Sequence, residues 1–336
     1  MNFISLFSGG GGADIGTMMA GYTPVAANEY DPDIAAVYRD NIGNHIRVGD
    51  ILQQDPHDYP ACDLLHMSPP CPNFSVAKAG RSETAHDIAL AEKAAEFIRV
   101  LSPRSITVEN VTAYRNSRSY QIILKAITDG GYMYDAEILN SADYGVPQTR
   151  RRFIIRATRG LLRPMPAPGR WIGWYEAIED LIDTLPASEF APWQLARLPE
   201  KWQTVLINPT RNSFEWIQES DAMTVDRPAP TITIGNESDT RYRAFIVDQL
   251  NGSHLIPAIR IDDEPIMTVG IHNAKHPAPR AWLSYGRVVK MTPRALARFQ
   301  SFPDWYQLPE KTSLARKIVG NAVPPLMYKK IVESFT

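Results

Sequence analysis

The first dozen residues limit the fold more than any other stretch. Asn2 to Phe7 is a short, mostly apolar run that ends in Ser8-Gly9-Gly10-Gly11-Gly12. Ala13 to Gly21 follows, and there Ala13, Ile15, Met18 and Met19 can share one buried helix face. Strand, glycine turn and helix, in that order, open a doubly wound α/β sheet, which binds its ligands at the carboxyl ends of strands. Glycine lets the backbone approach a ligand where a Cβ would clash. The spacing is not the dinucleotide fingerprint. Gly10-x-Gly12-x-x-Ile15 and Gly9-x-Gly11-x-x-Asp14 lack the third glycine, and Gly11-x-Ala13-x-x-Gly16 lacks the second. A dehydrogenase is therefore disfavoured.

Two more strand ends look prepared for a ligand. Pro24 to Asn28 runs to Glu29, and Asp31-Pro32 then starts a helix through Tyr38. A carboxylate in that place can accept two ribose hydroxyls. His45 to Gly49 runs to Asp50-Ile51, where an acceptor could take an exocyclic amine and Ile51 could pack on a purine.

The candidate chemistry sits further on. The strand Cys62 to Met67 leads into Ser68-Pro69-Pro70-Cys71-Pro72-Asn73-Phe74-Ser75. The prolines forbid further ladder bonds and stiffen the exit. A cysteine so placed can act as a nucleophile. Ile88 to Leu101 reads as an alanine-rich helix, and Ser105 to Val108 as a strand ending in Glu109-Asn110-Val111. That puts a carboxylate at a strand end like the one before Cys71. A helix over Tyr120 to Thr128 and a strand over Tyr134 to Leu139 precede Gln148-Thr149-Arg150-Arg151-Arg152. Side chains alternate in an extended chain, so Arg150 and Arg152 share a face suited to an anionic or carbonyl-bearing ligand.

Composition fits a soluble globular protein: 44% hydrophobic and 21% charged over 336 residues. No apolar run reaches a membrane span. Met1 to Ser5 does not read as a signal peptide, and two cysteines make neither a disulfide framework nor a four-cysteine zinc site. A cytoplasmic protein without a metal is expected. The net charge of −2 argues against a generic nucleic-acid coat, but basic residues cluster: Arg150, Arg151, Arg152, Arg156, Arg159 and Arg163 in one segment, and Arg280, Arg287, Lys290, Arg294 and Arg298 in another.

Taken together, these motifs resemble those of the DNA (cytosine-5)-methyltransferases of bacterial restriction–modification systems, in the family's order. Phe7 to Gly12 with Gly16 is similar to the S-adenosylmethionine loop. Pro70-Cys71-x-x-Phe74-Ser75 resembles the catalytic loop, Glu109-Asn110-Val111 the glutamate motif, and Gln148-x-Arg150-x-Arg152 the paired-arginine motif. Met291 to Pro303 resembles the block after the recognition region, and Gly320-Asn321-Ala322-Val323-Pro324-Pro325 the last motif. The resemblance implies a Rossmann-like methyltransferase sheet with a smaller β-rich target-recognition domain. The implied divisions are 1–170 for catalysis and cofactor, 171–311 for recognition with its linking motif, and 312–336 for a returning segment. It implies cofactor contacts from Phe7, Gly9, Gly10, Gly11, Gly12, Glu29, Asp50, Ile51, Pro70, Leu90, Asn321 and Val323. Cys71 is implied to add to C6 of a flipped cytosine, with Glu109 bonding the ring edge and Arg150 and Arg152 holding O2 and orienting Glu109.

Ser75, Lys78, Arg81, Gln148, Arg241 and Arg243 are the expected DNA contacts, with double-stranded DNA as substrate, a cognate endonuclease as partner and a monomer as assembly. Pro72 to Asp87 is expected to be a lid over the base. Many family members carry an Asp-x-Arg-Gly segment before the next helix; this chain has Thr84 to Leu90 instead. Proline- and tryptophan-rich sequence from Pro164 marks the recognition region, with β runs at Arg227 to Thr233 and Asp263 to Gly270. Its candidate contacts are Asn236, Ser238, Asn251, His254, His272, Asn273, Lys275 and His276, and its histidines lack a metal spacing. A tRNA cytosine methyltransferase and a silent DNA-binding module are the alternatives.

Overall fold

The computed structural model describes residues 1–70, 83–187, 205–207, 222–224, 226–229, 243–247 and 286–335. Seven strands form one sheet in the order β3-β2-β1-β4-β5-β7-β6. They are β1 (Asn2–Leu6), β2 (Thr23–Glu29), β3 (Ile46–Val48), β4 (Leu64–Met67), β5 (Ser105–Asn110), β6 (Met133–Asn140) and β7 (Arg151–Thr158). β1 to β5 run parallel. β7 is antiparallel to both β5 and β6. The chain winds outward from β1 to β3 and then crosses back to place β4 on the other side of β1. The crevice at the carboxyl ends of β1 and β4 is thus a topological switch point, where such sheets bind ligands.

The strands are apolar on both faces because helices cover both. Ile4 and Leu6 of β1, Leu65 and Met67 of β4, and Ile106 and Val108 of β5 join one core with α3 (Ala85–Leu101) and α4 (Arg118–Asp129). Phe3, Leu64 and Ile154 point the other way, as strand alternation requires. They meet Tyr328, Ile331 and Val332 of the C-terminal helix α8 (Pro325–Glu333). Each large side chain so buried is worth about 1.5–3 kcal/mol. α8 also lies against α1 (Gly12–Met19), closely enough that a Cβ on Gly16 would stand 2.4 Å from the Pro325 carbonyl oxygen.

A third core joins Ile15 and, from α2 (Pro32–Asn41), Ile34 and Val37 to residues distant in sequence. These come from α5 (Trp174–Ile178), α6 (Pro293–Phe299) and α7 (Thr312–Asn321). Both flanks of the expected recognition region therefore pack against the sheet's helices. A second, antiparallel sheet has the order β11-β10-β8-β9, from β8 (Val205–Ile207), β9 (Ala222–Thr224), β10 (Arg243–Val247) and β11 (Gly286–Lys290). Of the expected run Arg227 to Thr233, only 227–229 are described, and Ala229 bridges in parallel to Gln148. The run from Asp263 lies outside the described residues, as do the eight candidate contacts Asn236 to His276.

Several of the clustered arginines serve the fold. Arg156 is buried and bonds Asp135, the Arg163 carbonyl and Ser334 Oγ. Arg159 lies over the Tyr132 ring. Arg294 donates to the carbonyls of Pro303 and Tyr306, and Arg298 pairs with Asp180 and Asp304. Among the described residues, no helix is long and apolar enough to cross a membrane.

Candidate active site

The loop after β1 turns through Phe7 (φ 59°) and Gly9 (φ 56°), both left-handed. Of its four glycines, only Gly9 has open space where a Cβ would stand. The rest are explained by protein packing. A Cβ on Gly10 would meet Ile318 Cγ2 at 2.4 Å, and one on Gly12 would meet the Val323 carbonyl oxygen at 2.4 Å. Tyr306 Oη donates to the Gly10 carbonyl at 2.7 Å.

Glu29 accepts from the Gly9 amide through Oε2 and from the Asp31 amide through Oε1, each at 2.9 Å. Burial raises its pKa, and those amides oppose the shift. Each carboxylate oxygen has two lone pairs, so acceptor capacity remains. Asn28, which no motif singled out, accepts from Ser8 through its carbonyl and donates from Nδ2 to the carbonyls of Arg47 and Gly49. It thereby ties three strand ends together. Asp50 accepts from Leu52 N at 3.0 Å. Ile51 and, on α3, Leu90 both lie in the core. Tyr30, also absent from the sequence expectations, follows Glu29 and is 73% exposed.

Beneath the loop, Asp14 is buried and accepts from Ser5 Oγ at 2.9 Å and Tyr38 Oη at 2.7 Å. Tyr38 Oη also lies 2.9 Å from His45 Nε2. Burial pushes the Asp14 carboxyl up to about 6, against the two hydroxyl bonds. Burial also lowers the pKa of His45.

On the other side of the crevice, β4 carries His66. Its Nδ1 lies 3.1 Å from Thr107 Oγ1 and 2.6 Å from Tyr328 Oη, and its Nε2 lies 3.0 Å from Ser68 Oγ. Burial pushes its pKa down to about 3, so the ring is neutral. Pro69 is buried and Pro70 exposed. Cys71 follows and lies outside the described residues, as do Ser75, Lys78, Arg81 and Arg241; of Arg243 only the backbone, in β10, is described. Of the expected lid Pro72 to Asp87, residues 72–82 lie outside the described residues, and Ala85 to Asp87 already belong to α3. Thr84 and Asp87 cap that helix reciprocally, and Glu83 accepts from the amides of Arg118 and Ser119 at the head of α4. The residues replacing Asp-x-Arg-Gly are thus a helix start.

At the end of β5, Glu109 is only 7% exposed and its Oε1 lies 2.9 Å from Arg152 Nε. Burial lowers the Arg152 pKa, with the Glu109 charge opposing. Asn110, beside it, donates from Nδ2 to the Pro69 carbonyl at 3.0 Å. Arg150 precedes β7 with its side chain buried, its amide donating to Asn140 Oδ1 at 3.1 Å. The same hairpin therefore delivers both arginines, but only Arg152 forms an ion pair with Glu109. Gln148, expected at DNA, is fully buried, and its side-chain amide has no hydrogen-bond partner among the described residues. Its neighbours are zipped to the linking segment: Thr149 N donates to the Ala229 carbonyl, and Ala229 N to the Pro147 carbonyl, each at 2.8 Å.

The proline exit of β4, an acid paired with a buried arginine, and a glycine loop therefore lie at the carboxyl ends of neighbouring strands. That is the layout of a base-modifying methyltransferase. The family model "C-5 cytosine-specific DNA methylase" matches residues 1–336, and the chain belongs to that family. It is a DNA (cytosine-5-)-methyltransferase. Among curated relatives, the Type II methyltransferase M.NgoFVII of Neisseria gonorrhoeae is 28% identical, over 96% of this chain and 83% of its own. M.Bsp6I of Bacillus sp. (strain RFL6) is 27% identical, over 99% and 98%. The fold matches a putative DNA modification methyltransferase encoded within an E. coli prophage, at TM-score 0.63 and 17% identity over 99% and 98% of the chains. It also matches a mutant form of Spodoptera frugiperda DNMT2, at TM-score 0.64 and 15% identity over 99% of each.

Proposed function

We propose that the enzyme methylates C5 of a cytosine swung out of a specific double-stranded DNA sequence, using S-adenosylmethionine and a transient bond from Cys71 to C6. The observation that carries this reading is the Glu109–Arg152 ion pair beside the Pro69 carbonyl, at the strand ends framing the crevice. Cys71 follows Pro69 by two residues.

The residues at the first three strand ends suit the cofactor. Gly9 leaves open space, Glu29 and Asp50 offer carboxylate oxygens for hydroxyl and amine groups, and Tyr30 offers an aromatic face. When bound, S-adenosylmethionine supplies an electrophilic methyl group on a positively charged sulfur, and C5 takes it. C5 is too weak a nucleophile until the Cys71 thiolate adds to C6 and moves the C5–C6 electron pair onto C5. Glu109 would share a proton with N3 and accept from the exocyclic amine as negative charge builds on the ring, and Arg152, with Arg150, would hold O2. A base or water then takes the C5 proton; the C5–H electron pair restores the double bond and expels Cys71 as thiolate.

Flipping the base costs a few kcal/mol. The region 171–311 would read the sequence around it. The likeness to Type II methyltransferases supports a place in a restriction–modification system, where an endonuclease for the same site would be the partner.

The test is methyl transfer from labelled cofactor to duplex genomic DNA and to tRNA. Duplex DNA is expected to be labelled and tRNA not. Cys71→Ser is expected to abolish transfer and leave cofactor binding intact. Duplex DNA carrying 5-fluorocytosine is expected to trap a covalent adduct, because C5 then holds no removable proton. An active Cys71→Ser protein that forms no adduct would rule the mechanism out.

A further inference from the structure

The exit of β4 presents a mechanical problem. Pro69 and Pro70 have no N–H, so a backbone ladder cannot hold the chain there. Ser68 N still donates to the Leu6 carbonyl at 3.3 Å. One residue later the hold passes to a side chain: Asn110 Nδ2 donates to the Pro69 carbonyl at 3.0 Å. Asn110 is itself fixed. Its Oδ1 accepts from Val111 N at 2.8 Å, and it stands opposite Phe153 in the β5–β7 register. The residue before it is Glu109, paired with Arg152.

We infer that Asn110 is a positioning residue for the methyl transfer: its amide sets the spacing between the chain entering Cys71 and the Glu109–Arg152 pair. The inference rests on the reading above, in which Cys71 adds to a base held by Glu109. Pro69 and Cys71 are two residues apart, so their Cα atoms are separated by at most about 7.2 Å, and the chain that reaches Cys71 starts from the Pro69 carbonyl. The residue type also fits. The position needs a donor toward Pro69 and an acceptor for Val111 on a one-methylene stem, which Asn supplies. Aspartate is the same shape but sets an anionic oxygen against the carbonyl; when protonated, its O–H becomes a donor again.

The full-length protein would be compared with Asn110→Asp and Asn110→Ala. The probe is amplified duplex DNA in which every cytosine is 5-fluorocytosine, so that any recognition site is included. Both variants are expected to form the covalent adduct about 10²-fold more slowly, the usual penalty for a misplacement near 1 Å. The final number of adducts, the KM for DNA and the affinity for S-adenosylhomocysteine should be unchanged. As pH falls, the Asn110→Asp rate relative to wild type should recover, because protonation restores the donor; Asn110→Ala should not recover. Fewer competent sites at an unchanged rate per site, or a flat Asn110→Asp ratio across pH, would mean that Asn110 only supports the fold. A wild-type protein that traps no adduct would instead overturn the thiolate reading, and the positioning role with it.

Discussion

The two flanks of the central sheet are built differently. On the nucleotide flank, β1, β2 and β3 end in loops laced by backbone amides: Ser8 N to the Asn28 carbonyl, Gly9 N to Glu29 Oε2, and Gly49 N to the Glu29 carbonyl. The C-terminal segment clamps the glycine loop from behind, through Tyr306, Ile318 and Val323. On the chemistry flank, among the described residues, side-chain contacts at the ends of β4, β5 and β7 are Asn110 to Pro69 and Glu109 to Arg152. Several shared hydrogen bonds make a cradle that tolerates the loss of one. Two side-chain links make a geometry that can be adjusted, and that fails when one is cut. The first arrangement suits a ligand of fixed shape. The second suits a base that must arrive, react and leave.

The sharpest test of this contrast is Glu109→Gln. The amide keeps the shape and can still accept from Arg152, but it cannot carry charge. Removing one group that stabilises developing charge costs about 10²–10³ in kcat. We expect single-turnover methyl transfer to fall by that factor, with cofactor affinity by calorimetry unchanged. Parallel loss of cofactor affinity would show that the flanks are not separable.

Reading the sequence reaches one flank more easily than the other for a related reason. Strand ends on the nucleotide flank are bounded by glycines and acids, so Glu29 and Asp50 stand out. On the chemistry flank, Cys71, Glu109 and Arg152 are visible as residue types, and the motif order supplies their meaning. Asn110 is hidden because the acid beside it absorbs the attention, and its partner, Pro69, offers only a carbonyl. The reasons for Gly10, Gly12 and Gly16 lie some three hundred residues away, in Ile318, Val323 and Pro325. No local pattern could reveal them. Arg156 looks like part of a basic patch until the β6–β7 register sets it opposite Asp135. Where the chain starts α3 is legible in hindsight, since Thr84 and Asp87 are spaced as a capping pair.

A smaller effect is expected from the buried acid under the cradle. The Asp14 carboxyl titrates near 6 in the folded protein and near 3.8 when exposed. Between those values the folded state binds the extra proton. The stabilisation is therefore complete below the lower value and is lost as pH rises through the upper one. A shift of this size amounts to about 3 kcal/mol. His66 works in the opposite sense, because its depressed pKa makes acid favour the unfolded chain. Asp14→Asn removes the first contribution and keeps the second. Urea unfolding should show the variant gaining on wild type by about 2–3 kcal/mol between pH 4 and pH 7. A constant difference across that range would mean that Asp14 titrates normally, and that the nucleotide flank is not built over a strained charge.

The smallest effect is expected where the segment missing Asp-x-Arg-Gly meets α3. Thr84 accepts from Asp87 N, and Asp87 accepts from Thr84 N, so each closes one open donor at the helix start. Glu83 does the same for α4 through Arg118 and Ser119. Both helices cover the face of the sheet below the chemistry flank. Thr84→Ala removes one cap acceptor and should cost about 1 kcal/mol of stability. The backbone N–H of Thr84 is retained, so its bond to Asp87 survives the change. If the chemistry flank takes its geometry from Asn110 and Arg152 alone, the rate of methyl transfer by folded Thr84→Ala will equal that of wild type. If the rate falls by more than the lost stability explains, the start of α3 is a third link in that geometry, and the contrast between the flanks is one of degree.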